Sequence, residues 1–331
     1  MPITRTGSLD RYFRKEAVAD VVSALPKPTT PMTDLFFPAN RRKQKHSSLI
    51  SIEDITATTG AVPMVRRGSS SYAVDPATKT TKFIDLDGII ISRFFSAKDV
   101  NDLLATGDAE SIQAWVNENI EYLRDRVSET TETLVRQAFS GQIAYPYASE
   151  AGISGAMEID LGSPNTLTAA TITKSQKLGG LQVWLESLLS KHRAKAGSGG
   201  SPRVFAGSTV YSAIVEIVSA IQNPPAEWTD YGVKLFGKCE IQSLDETFTL
   251  PGANSATAML AANKVRVVDM ANTGNLIYAA LDDLDAKLAP MPFYCKPIRK
   301  QDPDGTKLVA SSKPLPAFAM KRMSEQTITV V

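Results

Sequence analysis

The sequence predicts an α+β protein, in which one unusually long helix is flanked by short strands along the chain. Residues 108–140 contain neither proline nor glycine and carry a helical apolar pattern. On both sides of this stretch, short apolar runs alternate with segments rich in Gly, Ser, Thr and Pro, which is typical of strands and turns. The chain has 331 residues, enough for one large or two ordinary domains with a sizeable core.

The composition is that of an ordered protein without a strong overall charge. Hydrophobic residues make up 43% and charged residues 21%, and 36 Lys and Arg against 35 Asp and Glu give a net charge of +1. Near neutrality argues against a dedicated nucleic-acid-binding protein. The charge is uneven, because residues 1–48 hold nine basic and four acidic residues, which is +5 against −4 for the remainder.

Cysteine usage and the N-terminal residues predict a protein of a reducing aqueous compartment. Cys239 and Cys295 show neither a metal-binding spacing nor a disulfide framework, so we expect two buried thiols. Residues 1–20 lack the apolar centre of a signal peptide. The longest apolar runs, such as residues 88–91, are too short to cross a bilayer, and we expect no membrane contact.

Residues 1–48 are predicted to form an extended N-terminal arm. Three prolines within residues 26–31 favour an extended, polyproline-like chain. The cluster Leu35, Phe36 and Phe37 follows, with little predicted core nearby in the sequence. We therefore expect this cluster to dock on something outside its own domain, such as another subunit.

A basic run closes the arm. It consists of Arg41, Arg42, Lys43 and Lys45. Clustered cations release counterions when they contact phosphates, which would let the run contact DNA without sequence preference. A short basic run equally often pairs with acids on a neighbouring subunit, and the sequence leaves both interpretations open. No aromatic residues interleave with the run to stack on bases.

From residue 49 to residue 95, apolar runs predict strands that enclose a long projecting loop at about residues 58–86. The middle of the loop is rich in Gly, Ser, Thr and Pro and carries Arg66 and Arg67. Loops of this length are uncommon in compact domains and are usually functional or disordered.

The long helix, predicted over residues 108–140, is a structural beam. Asp108 is a good N-cap and Gly141 a good residue to end the helix. At about 1.5 Å of rise per residue its length would be roughly 50 Å. One apolar stripe is predicted to face the core, and it includes Val116, Ile120, Leu123, Val127 and Leu134.

No pattern in the sequence predicts an enzyme, a cofactor or a metal site. The only histidines, His46 and His192, lie in polar surroundings, so we expect structural roles for both. The glycine-rich residues 197–200 lack the Gly-Lys-Ser/Thr ending of a phosphate-binding loop. The acidic residues 282–285 lack the spacing of a calcium loop and are expected to form a solvated helix or turn face.

Four short segments, taken in order, carry a family resemblance over essentially the whole chain. They are Leu35-Phe36-Phe37, Arg66-Arg67-Gly68-Ser69-Ser70, Glu158-Ile159-Asp160-Leu161-Gly162, and Asp302-Pro303 followed by Ser312-Lys313-Pro314-Leu315-Pro316. Their order and spacing resemble those of the lambda-type major capsid proteins of tailed bacteriophages, which share the Hong Kong 97 fold. Residues 171–254 show little residue-level correspondence to that family.

The resemblance implies an architecture for the whole chain. Residues 1–48 would be the N-terminal arm, and residues 49–95 would be strands with the extended β-hairpin loop. Residues 96–166 would form a peripheral domain with the spine helix 108–140. Residues 167–281 would form the axial domain, and residues 282–331 would return to the peripheral domain.

The resemblance also implies a function. The chain would assemble as pentamers and hexamers into an icosahedral shell around the double-stranded DNA of a tailed phage, in the host cytoplasm, with a portal and a scaffold as partners. Packaged DNA would be contacted non-specifically. Two alternatives stay open: an encapsulin-like nanocompartment shell, and a nucleic-acid-binding protein that uses the basic arm.

The family resemblance places contacts on named residues. Besides Leu35, Phe36 and Phe37, contacts with neighbouring subunits or a decoration protein are expected at Val62, Met64, Arg66, Arg67, Tyr72 and Val74. Some proteins of this fold form isopeptide bonds between Lys and Asn. Lys79 and Lys82 lie in the loop, but we expect solvated lysines and no such cross-link.

Overall fold

The computed structural model describes residues 12–53, 81–106, 109–149, 152–196, 200–221, 224–237 and 239–331. Within these residues the chain contains six α-helices and twenty β-strands, which confirms the predicted α+β class. The helices are α1 (Lys15–Ala24), α2 (Pro31–Phe36), α3 (Ala97–Thr106), α4 (Ala109–Ala138), α5 (Leu178–Ala196) and α6 (Ser208–Ser219). No helix in this part of the chain is long and apolar enough to cross a membrane.

The first ten strands are β1 (Arg42–Lys45), β2 (Leu49–Glu53), β3 (Thr81–Asp85), β4 (Ile89–Ser96), β5 (Gln142–Ser149), β6 (Gly152–Asp160), β7 (Asn165–Thr166), β8 (Ala170–Ile172), β9 (Pro202–Ala206) and β10 (Ala226–Thr229). The other ten are β11 (Gly232–Leu235), β12 (Cys239–Ser243), β13 (Thr247–Phe248), β14 (Thr257–Ala258), β15 (Lys264–Asp269), β16 (Gly274–Ala279), β17 (Tyr294–Gln301), β18 (Asp304–Ser312), β19 (Pro314–Phe318) and β20 (Met323–Val330).

Helix α4 is the longest element of the described chain. Its predicted apolar stripe is buried: Val116, Ile120, Leu123, Val127 and Leu134 are each at most 3% exposed. The helix ends at Ala138, and Gly141 follows with φ +99°. A side chain at Gly141 would lie 2.1 Å from the carbonyl oxygen of Gly162, so glycine is required there. This close approach lets the chain turn directly from α4 into the β5–β6 hairpin.

The stripe of α4 contributes to two different hydrophobic cores. Its N-terminal part, with Val116, Leu123 and Val127, packs with the three-stranded sheet β17-β18-β4 and helix α1. Its C-terminal part, including Leu134, joins a second core made by α2, β16, β19 and other segments. The helix therefore links two packing units along its length, as a beam does.

A third core lies in an eight-stranded sheet with helices α5 and α6. The main path of this sheet has the order β10-β11-β12-β9-β15-β20-β7, and β8 pairs with β20 beside it. Leu181 and Leu185 of α5 and Ile214 of α6 are fully buried against Val204 and Val267 of the sheet. This unit contains most of the region predicted as the axial domain.

Two strands lie elsewhere than the predicted division of the chain at residue 282 placed them. Strand β20 pairs in antiparallel register with β15, so the C-terminal strand lies in the eight-stranded sheet and not in the sheet β17-β18-β4. Strand β16, which the prediction placed in the axial domain, instead pairs with β1 and β19. Long-range strand pairing decides both placements, and pairing partners cannot be obtained from local sequence patterns.

Substitution of Leu123 or Leu134 by Asp is expected to prevent formation of a soluble, assembly-competent subunit. Each change buries an unpaired carboxylate in a core, at a cost of several kcal/mol. Soluble yield and thermal unfolding of the unassembled subunit measure the effect. Ala114→Asp, on an exposed position of the same helix, is the control and should behave like the unchanged chain. Wild-type yield of either leucine variant would show that the buried face is assigned incorrectly.

Candidate assembly surfaces

Helix α1 of the arm is packed on α4 and on the sheet β17-β18-β4 of its own subunit. Val18 has no exposed surface and belongs to the same core as Val116 of α4. Phe13 lies 6.4 Å from Phe95, measured between ring centroids. The Lys15 ammonium lies 2.5 Å from the Asp285 carboxylate on the surface, where such a pair contributes little. Apolar packing therefore holds this part of the arm in place.

Pro26 and the first turn of α2 are attached to α4 by two charged side chains of that helix. The Arg124 guanidinium donates to the carbonyl oxygen of Pro26. The Glu132 carboxylate accepts from the backbone N–H groups of Met32 at 3.2 Å and Thr33 at 2.9 Å. Glu132 is only 6% exposed, so it satisfies two otherwise unpaired donors at the start of α2 inside the fold.

The structure corrects the expectation that the Leu35–Phe37 cluster docks on a neighbour. Phe36 and Phe37 have no exposed surface, and both lie in the subunit's own core. The Phe36 ring centroid is 5.2 Å from that of Phe139, 5.3 Å from Phe205 and 5.4 Å from Phe318. Leu35 is partly buried and packs against the same core.

These ring contacts connect distant parts of the chain. Phe139 directly follows α4, Phe205 lies in β9 of the eight-stranded sheet, and Phe318 ends β19. The backbone carbonyl of Phe36 also accepts a 2.6 Å hydrogen bond from the buried Thr273 hydroxyl. The second half of the predicted arm is thus an integral part of the subunit, because its burial partners come from segments far away in sequence.

The basic run is also partly used within the subunit. Arg42 forms an ion pair with Asp34 of α2 and donates from Nε to the carbonyl oxygen of Phe37 at 2.9 Å. Arg41 donates to the carbonyl oxygens of Gly274 and Ala271. Strand β1, which contains Arg42 and Lys43, pairs in parallel with β16. For Arg42 the acidic partner is therefore in the same chain, whereas Lys43 is exposed.

A buried charged group missed by the sequence analysis supports the same junction. The Arg266 side chain is 5% exposed, and its guanidinium carbon lies 4.5 Å from the Phe139 ring centroid. It donates to the carbonyl oxygen of Phe139 and pairs with the Glu325 carboxylate. Lys264 adds a second cation 2.6 Å from Glu325. Alternation along β15 offers no signal for a buried arginine, since its partners lie in other elements.

Charge partners also explain the pKa of Glu325. Burial by itself would raise the pKa of this carboxyl group, but Arg266 and Lys264 more than offset that effect and hold the pKa below its usual value. The carboxylate is therefore charged at neutral pH, as the buried guanidinium of Arg266 requires.

His192, the two cysteines and two of the aspartates considered as candidates for catalysis or metal binding are buried or form ion pairs within the subunit. His192 is 1% exposed, so it is buried and does not lie on a solvated helix end, and its Nδ1 is 2.9 Å from the Ser324 hydroxyl. Cys239 and Cys295 are both buried, and burial raises the pKa of the Cys295 thiol to about 12. Asp282 pairs with Lys313, and Asp285 pairs with Lys296. Within the described residues, no group of three or more His, Cys, Asp or Glu could hold a metal ion.

Residues 16–323 match the family described as phage major capsid protein E, which is nearly the whole chain. This chain belongs to that family. It is a major capsid protein, a subunit of an icosahedral shell, and the predicted capsid resemblance is confirmed. The capsid family is one of structural proteins and is not an enzyme family. A search of curated proteins finds no match.

Several solved structures are similar to this capsid protein. The crystal structure of a protein assigned as the capsid protein of a prophage of E. coli CFT073 has a TM-score of 0.61 at 16% identity, over 95% of this chain and 98% of that one. The cyanophage A-1(L) capsid asymmetric unit has a TM-score of 0.46 at 14% identity, over 93% and 95%. The SrpI encapsulin complex of Synechococcus elongatus PCC 7942 has a TM-score of 0.42 at 9% identity, over 94% of each chain. The predicted Hong Kong 97 capsid fold is confirmed.

The loop residues predicted to contact neighbouring capsid subunits or a decoration protein lie outside the described part of the chain. They are Val62, Met64, Arg66, Arg67, Tyr72 and Val74. Lys79 lies there too, and of Lys82 only the backbone in β3 is described. For these residues the sequence-based predictions stand as predictions.

The capsid subunit is expected to lose stability in acid because of Glu325. Its pKa is lower in the folded than in the unfolded chain, so its contribution is present above the ordinary Glu value of about 4.3 and is lost as pH falls through the folded pKa. Glu325→Gln should cost about 3 kcal/mol or more at pH 7, because it leaves Arg266 buried without its partner. Between about pH 6 and about pH 3, the free energy of unfolding of this variant should then change less than that of the unchanged chain.

Urea unfolding of the unassembled subunit at several pH values measures both effects. Glu227→Gln is the matched control, since this carboxylate is 73% exposed and pairs with Lys234 at the surface. Its cost should be below about 1 kcal/mol. Equal costs for the two glutamine variants would contradict the structural role assigned to the Arg266–Glu325 pair.

Proposed function

We propose that this capsid protein assembles as pentamers and hexamers into a shell that encloses the double-stranded DNA of a tailed phage, and that assembly takes place in the host cytoplasm. The family match supports the shell itself. The observation that carries the finer proposal is the construction of the subunit. Three cores are joined around α4 and the Phe36 cluster, which consists of Phe36, Phe139, Phe205 and Phe318. Such a subunit is already folded before it assembles, so identical copies can be arranged in rings.

The domain roles follow from this construction. The unit of α5, α6 and the eight-stranded sheet is proposed to be the axial domain, which points to the centre of each ring. The N-terminal part of α4 with the sheet β17-β18-β4 is proposed to be the peripheral domain. Trp228 and Tyr231, at the β10–β11 hairpin, are 55% and 70% exposed, and aromatic residues with such exposure are typical of contact surfaces. Their position at the edge of the eight-stranded sheet supports contact between axial domains.

Fewer residues are proposed to contact partners than the sequence indicated. A decoration protein is expected on residues 62–74, and a portal and a scaffold are expected for assembly of the shell. Packaged DNA is expected to touch exposed cations such as Lys43 rather than Arg42, because Arg42 is already paired with Asp34. Phe36 and Phe37 are no longer proposed as contacts, since they are buried.

Purified protein is expected to form closed shells, visible by electron microscopy, with rings of five and six subunits. On denaturing electrophoresis of these shells we expect a band near the 35.7 kDa chain mass, because solvated lysines such as Lys79 and Lys82 would leave the chains unlinked. Uniform small particles under assembly conditions would contradict the proposed shell. A ladder of covalent oligomers that survives reductant would contradict only the absence of isopeptide bonds.

A further inference from the structure

Strand β4 lies at an edge of its sheet and exposes apolar side chains. Within the described residues it pairs with β18 alone, in the order β17-β18-β4. Ile90 is 68% exposed and Phe94 is 37% exposed, although both lie in a strand of the peripheral core. Exposed apolar side chains on a free edge strand are a liability unless another chain covers them.

Next to these residues, an exposed Tyr122 of α4 lies between two arginines. The guanidinium carbons of Arg93 and Arg126 are each 5.3 Å from the Tyr122 ring centroid, and Arg93 is also 5.8 Å from the ring of Phe95. Arg126 pairs with Glu129 at 2.9 Å. Among the described residues, no carboxylate lies within 4.0 Å of the Arg93 guanidinium. Stacking on two rings thus orients a charge that has no acidic partner there.

Grooves continue this surface on both sides of Arg93. One has a volume of about 560 Å³, and its lining includes Phe94, Leu103 and Trp115 as well as Arg93 and the two carboxylates Asp99 and Asp102. The other has a volume of about 430 Å³ and is lined by Tyr122 and Leu250. Tyr, Trp and Arg beside concave apolar surface are the residue types that dominate the energetics of protein contacts.

An acidic counterpart lies just before the same strand. The Tyr147 hydroxyl donates to the Asp87 carboxylate, and Asp85 is close enough to both to act with Asp87 in raising the pKa of Tyr147. Both carboxylates are exposed. In the described part of the chain no lysine or arginine lies within ion-pair distance of either one. The chain just before β4 is therefore acidic, whereas Arg93 within β4 is basic.

The spacing of these groups is symmetric about Ile90. Asp87 lies three residues before Ile90 and Arg93 three residues after it. When two copies of one strand meet antiparallel about a two-fold axis, residues equally far on either side of the axis face each other. An axis at Ile90 therefore pairs residues 89–91 of the two β4 strands, with Ile90 against Ile90. Asp87 lies two residues before β4, so Arg93 of each copy meets Asp87 of the other just beyond the paired backbone. Gly88, which has no side chain, then faces Ser92.

We propose that the β4 edge is a two-fold contact between two copies of this chain, centred on Ile90 and bracketed by two reciprocal Arg93–Asp87 ion pairs. A phosphate-bearing partner fits less well, because the same surface carries Asp85, Asp87 and Glu129. A self-complementary pattern needs no second protein. The inference rests on the proposed shell, since a two-fold contact joins rings to one another.

Charge reversal tests the contact. Arg93→Asp and Asp87→Arg should each lower the fraction of subunits in shells roughly tenfold or more, because like charges then face each other twice per contact. The double variant restores both pairs in reversed orientation and should recover most of the shells. Arg299→Asp, an exposed position on β17 of the same sheet, is the control and should assemble normally. Circular dichroism and thermal unfolding of the unassembled chains verify that every variant is folded.

A cross-link tests the axis itself. Ile90→Cys in assembled shells should form a disulfide under mild oxidation and give a non-reduced band at twice the 35.7 kDa chain mass. Val183→Cys, which replaces a residue equally exposed at 68% on α5, should not form this disulfide.

The proposal is overturned if the double variant assembles no better than the single ones, or if Ile90→Cys gives no dimer. It is also overturned if Arg93→Asp shells form normally and lose only DNA or a bound protein. Failure of the unchanged chain to form shells would instead refute the proposed function.

Discussion

The ring of Phe36 lies at the point where the arm, the long helix, the eight-stranded sheet and strand β19 meet. Its neighbours Phe139, Phe205 and Phe318 come from three separate segments, with ring centroids between 5.2 and 5.4 Å away. Burying one phenylalanine contributes about 1.5–3 kcal/mol, and removing it from a packed core costs about 3–5 kcal/mol. In a domain with a net stability of about 5–15 kcal/mol, such a contact is a large share of the total. The relative position of the three cores therefore depends on this cluster.

Polar groups fix the geometry that apolar burial alone would leave loose. Glu132 holds the start of α2, Thr273 holds the carbonyl of Phe36, and Arg266 holds the carbonyl of Phe139. Each is buried and bonded to backbone, so each would carry a desolvation penalty if the junction opened. The consequence for a shell subunit is a fixed angle between the proposed axial and peripheral domains. Contacts at exposed edges, such as β4, can then be weak individually and still add up over many copies.

The sequence predicted what depends on local periodicity and missed what depends on distant partners. The α4 stripe was predictable because residues three and four apart share one helix face, and the structure buries Ile120 and Leu134 together with their neighbours in the stripe. The burial of Phe36 was not, because its partners lie about a hundred residues or more away. Arg266 shows the same limit: nothing near it in sequence indicates that Glu325 would pair with it. The family resemblance supplied the fold, but it did not reveal that Met32, Phe36 and Phe37 belong to the subunit's own core.

Hydrogen exchange in the unassembled subunit tests this account of the junction most directly. The backbone amides of Asp34 and Phe37 are hydrogen-bonded within α2, to the carbonyls of Thr30 and Thr33, each at 2.8 Å. If the Phe36 cluster unites the subunit, these two amides should exchange only through global unfolding, as slowly as the amides of the buried strand β15. Exchange of the α2 amides many times faster than those of β15 would contradict it, because the segment would then open while the rest of the subunit stays folded.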